Sequence, residues 1–296
     1  MDTNSLFSLS RIVMVMKCDI IGNKKAYLLG ALGMYAAFAF IMLATMQSWS
    51  GKTLVFSMAD EETAFSMFCN RMFGMFVLVT LVVGLVRASC IMENMVTKEK
   101  RIAYLMLPAS MVEKFLARFL LVTVGFAVTV VVAALLAEVT RYLLLPLFHV
   151  PDVFHRSVLL HWVTNLTKYD GGNVFLTEIE SWLGRWCGWA SLIWIHSLYV
   201  LGGSLWYKKP FLKTWGVLFL IFILIILLLG GIGRWMGREN LQAWMEWLSP
   251  RLQWVTLEHV TALGITIFHL FTLFNWWLSY RLFVRSQVIK PKFRLL

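Results

Sequence analysis

Six stretches of this chain run for 15 to 25 residues without an Asp, Glu, Lys or Arg, and this pattern constrains the fold more than any other feature. A helix crossing about 30 Å of hydrocarbon needs about 20 mainly apolar residues. The charge-free runs lie at 26–50, 72–86, 119–137, 186–207, 214–233 and 259–280. The second has only 15 residues. Arg71 and Arg87 bracket it, however, and both can extend their charged heads to the interfaces along apolar stems. With flanking residues included, the expected spans are 26–50, 67–92, 115–137, 186–207, 214–233 and 259–280. The expected fold is an all-α polytopic membrane protein, with residues 1–296 forming a single transmembrane domain. Composition agrees: 59% of the 296 residues are hydrophobic and 15% are charged, against roughly 45–50% and about 25% in soluble domains. An ordinary soluble enzyme is excluded.

Lys and Arg number 27 and Asp and Glu 16, a net charge of +11 that in a soluble chain would raise nucleic-acid binding. Six spans place both termini on one side. If that side is the cytoplasm, the inner segments hold 18 Lys and Arg with 5 acidic residues, and the outer segments hold 9 with 11. Such an inner excess orients membrane helices. The basic charge therefore reads as topology in a multi-pass protein of the cytoplasmic (inner) membrane, with no nucleic-acid partner. Residues 1–25 do not read as a cleavable signal peptide, because Arg11, Lys17 and Asp19 interrupt any apolar core. Leu6, Leu9, Ile12, Val13, Met16, Ile20 and Ile21 recur there at three- and four-residue spacing, with Arg11, Lys17, Lys24 and Lys25 on or near the other face. This predicts an amphipathic helix lying on the inner membrane surface, against anionic lipid.

The inner connection between spans two and three is the most informative segment. From Thr97 it reads TKEKRIAYLMLPASMVEKFLARFL. Ile102, Leu105 and Met106 share a helical face behind the charged cluster Lys98, Glu99, Lys100 and Arg101, and Pro108 stops that short helix. Ser110 and Glu113 stand in the S-x-x-E spacing of a capping box ahead of an apolar run. The reading is a short amphipathic helix, a sharp turn and a newly capped helix entering span three, a knuckle suited to contact with a soluble partner.

These residues resemble the permease subunits of type-2 ATP-binding-cassette transporters, which are six-span chains of about this size. Members carry an amphipathic helix before the first span. Between spans two and three they show glutamate, leucines, "LP" with a small residue and serine, and then lysine. Glu99, Leu105, Leu107, Pro108, Ser110 and Lys114 match those positions. The family's Gly-Thr pair is absent, Glu99 and Lys100 standing at about that place, and Glu113 occupies the position of the glycine before the lysine. The resemblance implies that Lys98, Glu99, Lys100, Arg101, Leu105, Leu107, Pro108, Ser110, Glu113 and Lys114 form a coupling surface seated on an ATPase partner. It also implies two copies of that ATPase, using ATP and Mg, and a homodimer or heterodimer of permease subunits.

Outside, residues 138–185 form a long connection with Pro146, Pro151 and an Asp170-Gly171-Gly172 turn, longer than the family's usual one. Residues 234–258 carry Trp235, Trp244, Trp247 and Trp254 among charges, as an interfacial helix would.

No catalytic, cofactor or metal motif emerges. Ser50-Gly51-Lys52-Thr53 has Met46 where a phosphate-binding loop needs its first glycine, and Gly231-Ile232-Gly233 ends a span. His149, Asp152, His155 and His161 lack metal-ligand spacing. Asn165-Leu166-Thr167 fits a glycosylation sequon that decides nothing. Cys18, Cys69, Cys90 and Cys187 form neither a metal pair nor a disulfide framework. Within the membrane His196, His269 and Asn275 mark a candidate substrate path, accompanied by Ser191, Ser197, Thr266 and Thr272, although interhelical hydrogen bonding is the commoner use of such groups. The competing class is a non-transporting scaffold or anchor whose outer loop binds a partner.

Overall fold

The computed structural model describes residues 7–49, 61–148, 150, 152–165, 181–206, 208–248, 250 and 256–285. All regular structure among them is helical: α1 (Leu9–Gly22), α2 (Lys24–Trp49), α3 (Glu61–Ser89), α4 (Lys98–Leu105), α5 (Met111–Leu120), α6 (Phe126–Leu144), α7 (Val158–Asn165), α8 (Ser181–Leu205), α9 (Pro210–Leu248) and α10 (Leu257–Val284). A π-helical turn, Leu121–Gly125, joins α5 to α6. The segments Ser50–Thr53 and Asp170–Gly172, together with His149, Pro151, Thr167 and Trp254, fall outside the described residues.

Among the described residues, five helical segments are long and apolar enough to cross a membrane: Lys24–Trp49, Glu61–Met95, Met111–Leu147, Pro210–Trp235 and Glu258–Val284. They correspond to expected spans one, two, three, five and six. The expected fourth span is the 25-residue α8, which is not among the five. Its bulk comes from Trp182, Trp186, Trp189, Trp194, His196 and Tyr199, whose polar ring atoms lower the mean hydropathy of a helix otherwise long enough to span.

The chain divides into two compact units, one of Met1–Arg87 with Leu107–Tyr169 and one of Ala88–Met106 with Asp170–Leu296. In the first, α2 buries a stripe at four-residue spacing, Met34, Phe38, Met42 and Met46, against Phe65, Phe68, Met72 and Phe76 of α3 and Ala133 and Ala137 of α6. Direction can be read from the pairs. Tyr27 meets Arg87, Phe38 stacks on Phe76 at 4.0 Å and Trp49 meets Phe68, so α2 and α3 are antiparallel. Arg118 reaches Tyr27 and Tyr35 bonds Thr140 at 2.8 Å, so the third span runs parallel to α2.

The expected outer connection at 138–185 begins inside α6, which continues to Leu144. Glu138 and Arg141 do not end the helix, because they neutralise one another one turn apart at 3.0 Å. Arg141, fully buried, also donates to the carbonyls of Phe154 and Arg156, both at 2.8 Å, and Glu138 accepts from the Val158 N–H at 2.9 Å. The pair thereby fastens 152–158 to α6 while Trp162 donates to the Cys69 carbonyl at 2.9 Å.

In the second unit α8 approaches its neighbours at two glycines. A Cβ on Gly203 would lie on the carbonyl oxygen of Ser89, and one on Gly202 on the side chain of Thr214. Small residues at such crossings let membrane helices pack backbone to backbone. Further on, α9 turns at Gly237, whose φ of 69° suits glycine. The helical piece beyond it, to Leu248, carries the exposed Trp247 and occupies part of the expected outer helix. A second, unforeseen capping box opens α10: Thr256 accepts from the His259 N–H, and the His259 ring stands where a glutamate usually does.

Overpacking a close helix crossing costs about 1–3 kcal/mol, so Gly203→Val is expected to lower stability by that amount in detergent. Gly216→Val, at a glycine with open space around it, is expected to leave the thermal midpoint nearly unchanged.

Candidate functional site

The segment singled out by sequence has two parts, one in each unit. The first is α4. Thr97 caps it, its hydroxyl accepting from the Lys100 N–H at 3.3 Å. Arg101 is buried, donating through Nε and Nη2 to the Met95 carbonyl at 3.2 and 2.9 Å. Tyr104 is buried with its ring edge-on to Phe283. Held from inside by these two side chains, the helix turns Ile102 and Met106 outward, 39% and 79% exposed.

Arg101, which the sequence groups with Lys98, Glu99 and Lys100, is thus separated from them by burial, while Ile102 and Met106 face outward. A carbonyl at the end of the 3-10 turn Glu93–Met95 needs a donor, and a guanidinium carries several. Lys98, Glu99 and Lys100 are exposed as expected, Leu105 and Leu107 are half-buried, and Pro108 is exposed. The Glu99 carboxyl is held below the usual carboxylate range by its own backbone N–H and then by the Thr97 hydroxyl.

The second part begins at Ser110 and confirms the capping box: Ser110 Oγ accepts from the Glu113 N–H at 3.3 Å, and Glu113 Oε2 accepts from the Ser110 N–H at 2.7 Å. Glu113 and Lys114 are buried, not surface charges. The other oxygen of Glu113 accepts from the Ser8 N–H at 2.7 Å and pairs with Arg11 at 2.9 Å. Five residues on, Arg118 pairs with Asp19, both almost fully buried. Asp19 also accepts from Tyr27 Oη at 3.0 Å and from Asn23 Nδ2 at 2.9 Å. Two pairs of opposite polarity therefore lock α1 parallel to α5, and α1 buries Ile12, Val15 and Asp19 there. Leu9, Val13, Ile20 and Ile21 remain exposed, free for the membrane surface that the sequence assigns them. Sequence missed Asp19 and Arg118, whose partners stand 99 positions apart; their only local signal is a charge on an otherwise apolar stripe.

Among the described residues no hydrogen bond joins His196, His269 and Asn275 to one another. Asn275 donates to Ser197 Oγ at 2.9 Å and clips α10 to α8. His269 is exposed, with Nδ1 bonded to the Ile265 carbonyl of its own helix at 2.7 Å, and His196 is half-buried. Among the described residues Cys18, Cys69, Cys90 and Cys187 form no disulfide, and His161 lies edge-on to Phe65.

No protein-family model, curated protein or solved structure matches the chain.

Removing one partner of a buried ion pair leaves the other charge uncompensated, at about 3–5 kcal/mol. Asp19→Ala is expected to destabilise by that amount. Asp19→Ala combined with Arg118→Leu is expected to cost clearly less than the two single changes summed, measured as a double-mutant cycle of unfolding in detergent.

Proposed function

We propose that the chain is the permease subunit of an exporter-type ATP-binding-cassette transporter. It moves a substrate across the cytoplasmic (inner) membrane with energy from ATP and Mg held by separate ATPase subunits. On this reading α8 is the sixth span, both termini are cytoplasmic, and two permease subunits, identical or homologous, assemble with two ATPases. The span α9, exposed throughout 219–235, is a surface open to lipid or to that second permease.

The observation that carries the reading is α4. An eight-residue helix capped at its start, and fastened from inside by Arg101 and Tyr104, presents Ile102 and Met106 outward beside Lys98 and Lys100. Apolar side chains held outward on a short rigid helix suit a groove of a soluble partner, and lysines on their flank favour acidic residues there. Arg101, Glu113 and Lys114 act on this reading as internal supports of the connection. The partner then biases two packed arrangements of the permease, as alternating access requires.

The competing reading, a non-transporting scaffold, draws on the folded outer segment at 152–165, which Arg141 and Trp162 hold in place. One experiment separates them: isolation of the tagged chain in detergent from its native membrane, with mass spectrometry of what accompanies it and an ATPase assay. The expected outcome is a roughly stoichiometric ATP-binding-cassette subunit. Contact residues of this kind cost more than ~1 kcal/mol each, so Ile102→Asp with Met106→Asp is expected to weaken stimulated ATPase activity about tenfold or more with an unchanged thermal midpoint. A chain that purifies alone, or with partners bound to its outer face, moves the reading to the scaffold.

A further inference from the structure

The first unit contains a cleft of about 430 Å³ walled by three spanning segments, a volume suited to a small amphiphilic ligand. Lys24, at the start of α2, and Arg87, in the last turn of α3, stand at one end. The cleft then runs past Tyr27 and Gly30 to Met34 and Phe126. Ten residues of helix separate Lys24 from Met34, about 15 Å along the axis. A cationic mouth thus leads into an apolar trench extending toward the middle of a bilayer.

Three observations say what fills it. Among the described residues neither Lys24 nor Arg87 has a carboxylate partner; Arg87 lies over the Tyr27 ring at 5.0 Å. The nearby acid, Asp19, is already neutralised by Arg118 and further satisfied by Tyr27 and Asn23, so the mouth keeps an unopposed positive charge. The trench is also widened in two places. Nothing lies within 4 Å of where a Gly30 Cβ would be, so that glycine serves no close helix contact and its missing side chain leaves room. Opposite, Leu121 and Gly125, the ends of the π-helical turn, line the wall, and π-turns inside α-helices frequently mark binding sites.

We infer that this cleft is a site for an anionic diacyl phospholipid, its phosphate between Lys24 and Arg87 and one acyl chain along Gly30, Met34 and Phe126. Basic pockets between spanning helices bind such headgroups. Both cations stand at the ends of α2 and α3 that share one membrane face, so the phosphate and the chain entry lie at headgroup and hydrocarbon depth. The inference does not depend on the permease reading, since it needs only that these three segments span.

The test titrates the delipidated full-length protein in neutral detergent with phosphatidylglycerol, with phosphatidylcholine and with inorganic phosphate, following bound lipid by native mass spectrometry. Phosphatidylglycerol is expected to bind, and the other two are not. Lys24→Gln with Arg87→Gln is expected to weaken it about 30-fold. Gly30→Phe, which keeps both charges and fills open space, is expected to abolish binding while the protein stays monodisperse with an unchanged thermal midpoint. If the charge variant fails to fold, Gly30→Phe alone decides. Equal binding of phosphatidylcholine, full competition by inorganic phosphate, or wild-type affinity in the folded variants would each overturn the inference.

Discussion

Two ion pairs of opposite polarity set the geometry of the first unit. Arg11 of α1 meets Glu113 of α5, and Asp19 of α1 meets Arg118 of α5. The reciprocity leaves little freedom: sliding α1 by one turn would bring Arg11 toward Arg118 or Asp19 toward Glu113. The two pairs also differ in weight. Arg11 is 39% exposed, whereas Arg118 and Asp19 are almost fully buried. The outer pair joins a partly exposed Arg11 to a buried Glu113, so solvent screens it on one side only; the inner one is buried on both sides and costly to break from one side. Because α1 leads directly into α2 and α5 leads directly into α6, this clamp fixes where two of the helices long and apolar enough to cross a membrane begin. It also explains the cleft between them, where Arg118 removes the one negative charge that would otherwise neutralise Lys24 and Arg87.

The long apolar helices were legible because hydrocarbon imposes a length on any helix that crosses it, and each of the five described segments overlaps one charge-free run, although Glu61–Met95 and Met111–Leu147 extend well past theirs at both ends. The capping box at Ser110 and Glu113 was legible for a similar reason, since both partners lie within four residues. Illegible were the charges whose partners are distant. Asp19, Arg101, Glu113, Arg118, Glu138 and Arg141 are all buried. Arg141 has its acid three positions away, but its remaining donors go to the carbonyls of Phe154 and Arg156. Backbone acceptors leave no trace in side-chain identity.

The same reason governs the candidate site. Sequence located α4 and its stop at Pro108, but which of its faces would be buried depended on an acceptor, the Met95 carbonyl, and on a ring, Phe283, 179 positions beyond Tyr104. Which face is buried matters for the role proposed for α4. Had Ile102 and Met106 been buried, α4 would have offered only mobile lysines, which give little affinity. Burying the arginine stem and the tyrosine instead spends polar groups on holding the helix still and leaves apolar side chains to make contact.

The proposal that α8 is a sixth span rests on direction rather than on hydropathy. Trp194 stacks on Phe268 at 5.1 Å, and Ser197 accepts from Asn275 at 2.9 Å. If α8 and α10 were antiparallel, advancing three residues on one and seven on the other would separate those pairs by about 15 Å at 1.5 Å per residue. Running parallel, they mismatch by only about 6 Å, within reach of a tryptophan side chain. Two parallel helices joined through α9, which is itself long and apolar enough to cross, need the chain to cross once in each direction between the start of one and the start of the other. The helix α8 exposes Trp186, Trp189 and Ile193, side chains that suit lipid on the proposed reading. Residues Ser197, Asn275 and Ser279, all buried, are then the polar groups that hydrocarbon obliges to pair with one another or with backbone, and the sixth span proposed for α8 accounts for tryptophan, polar seam and connectivity together.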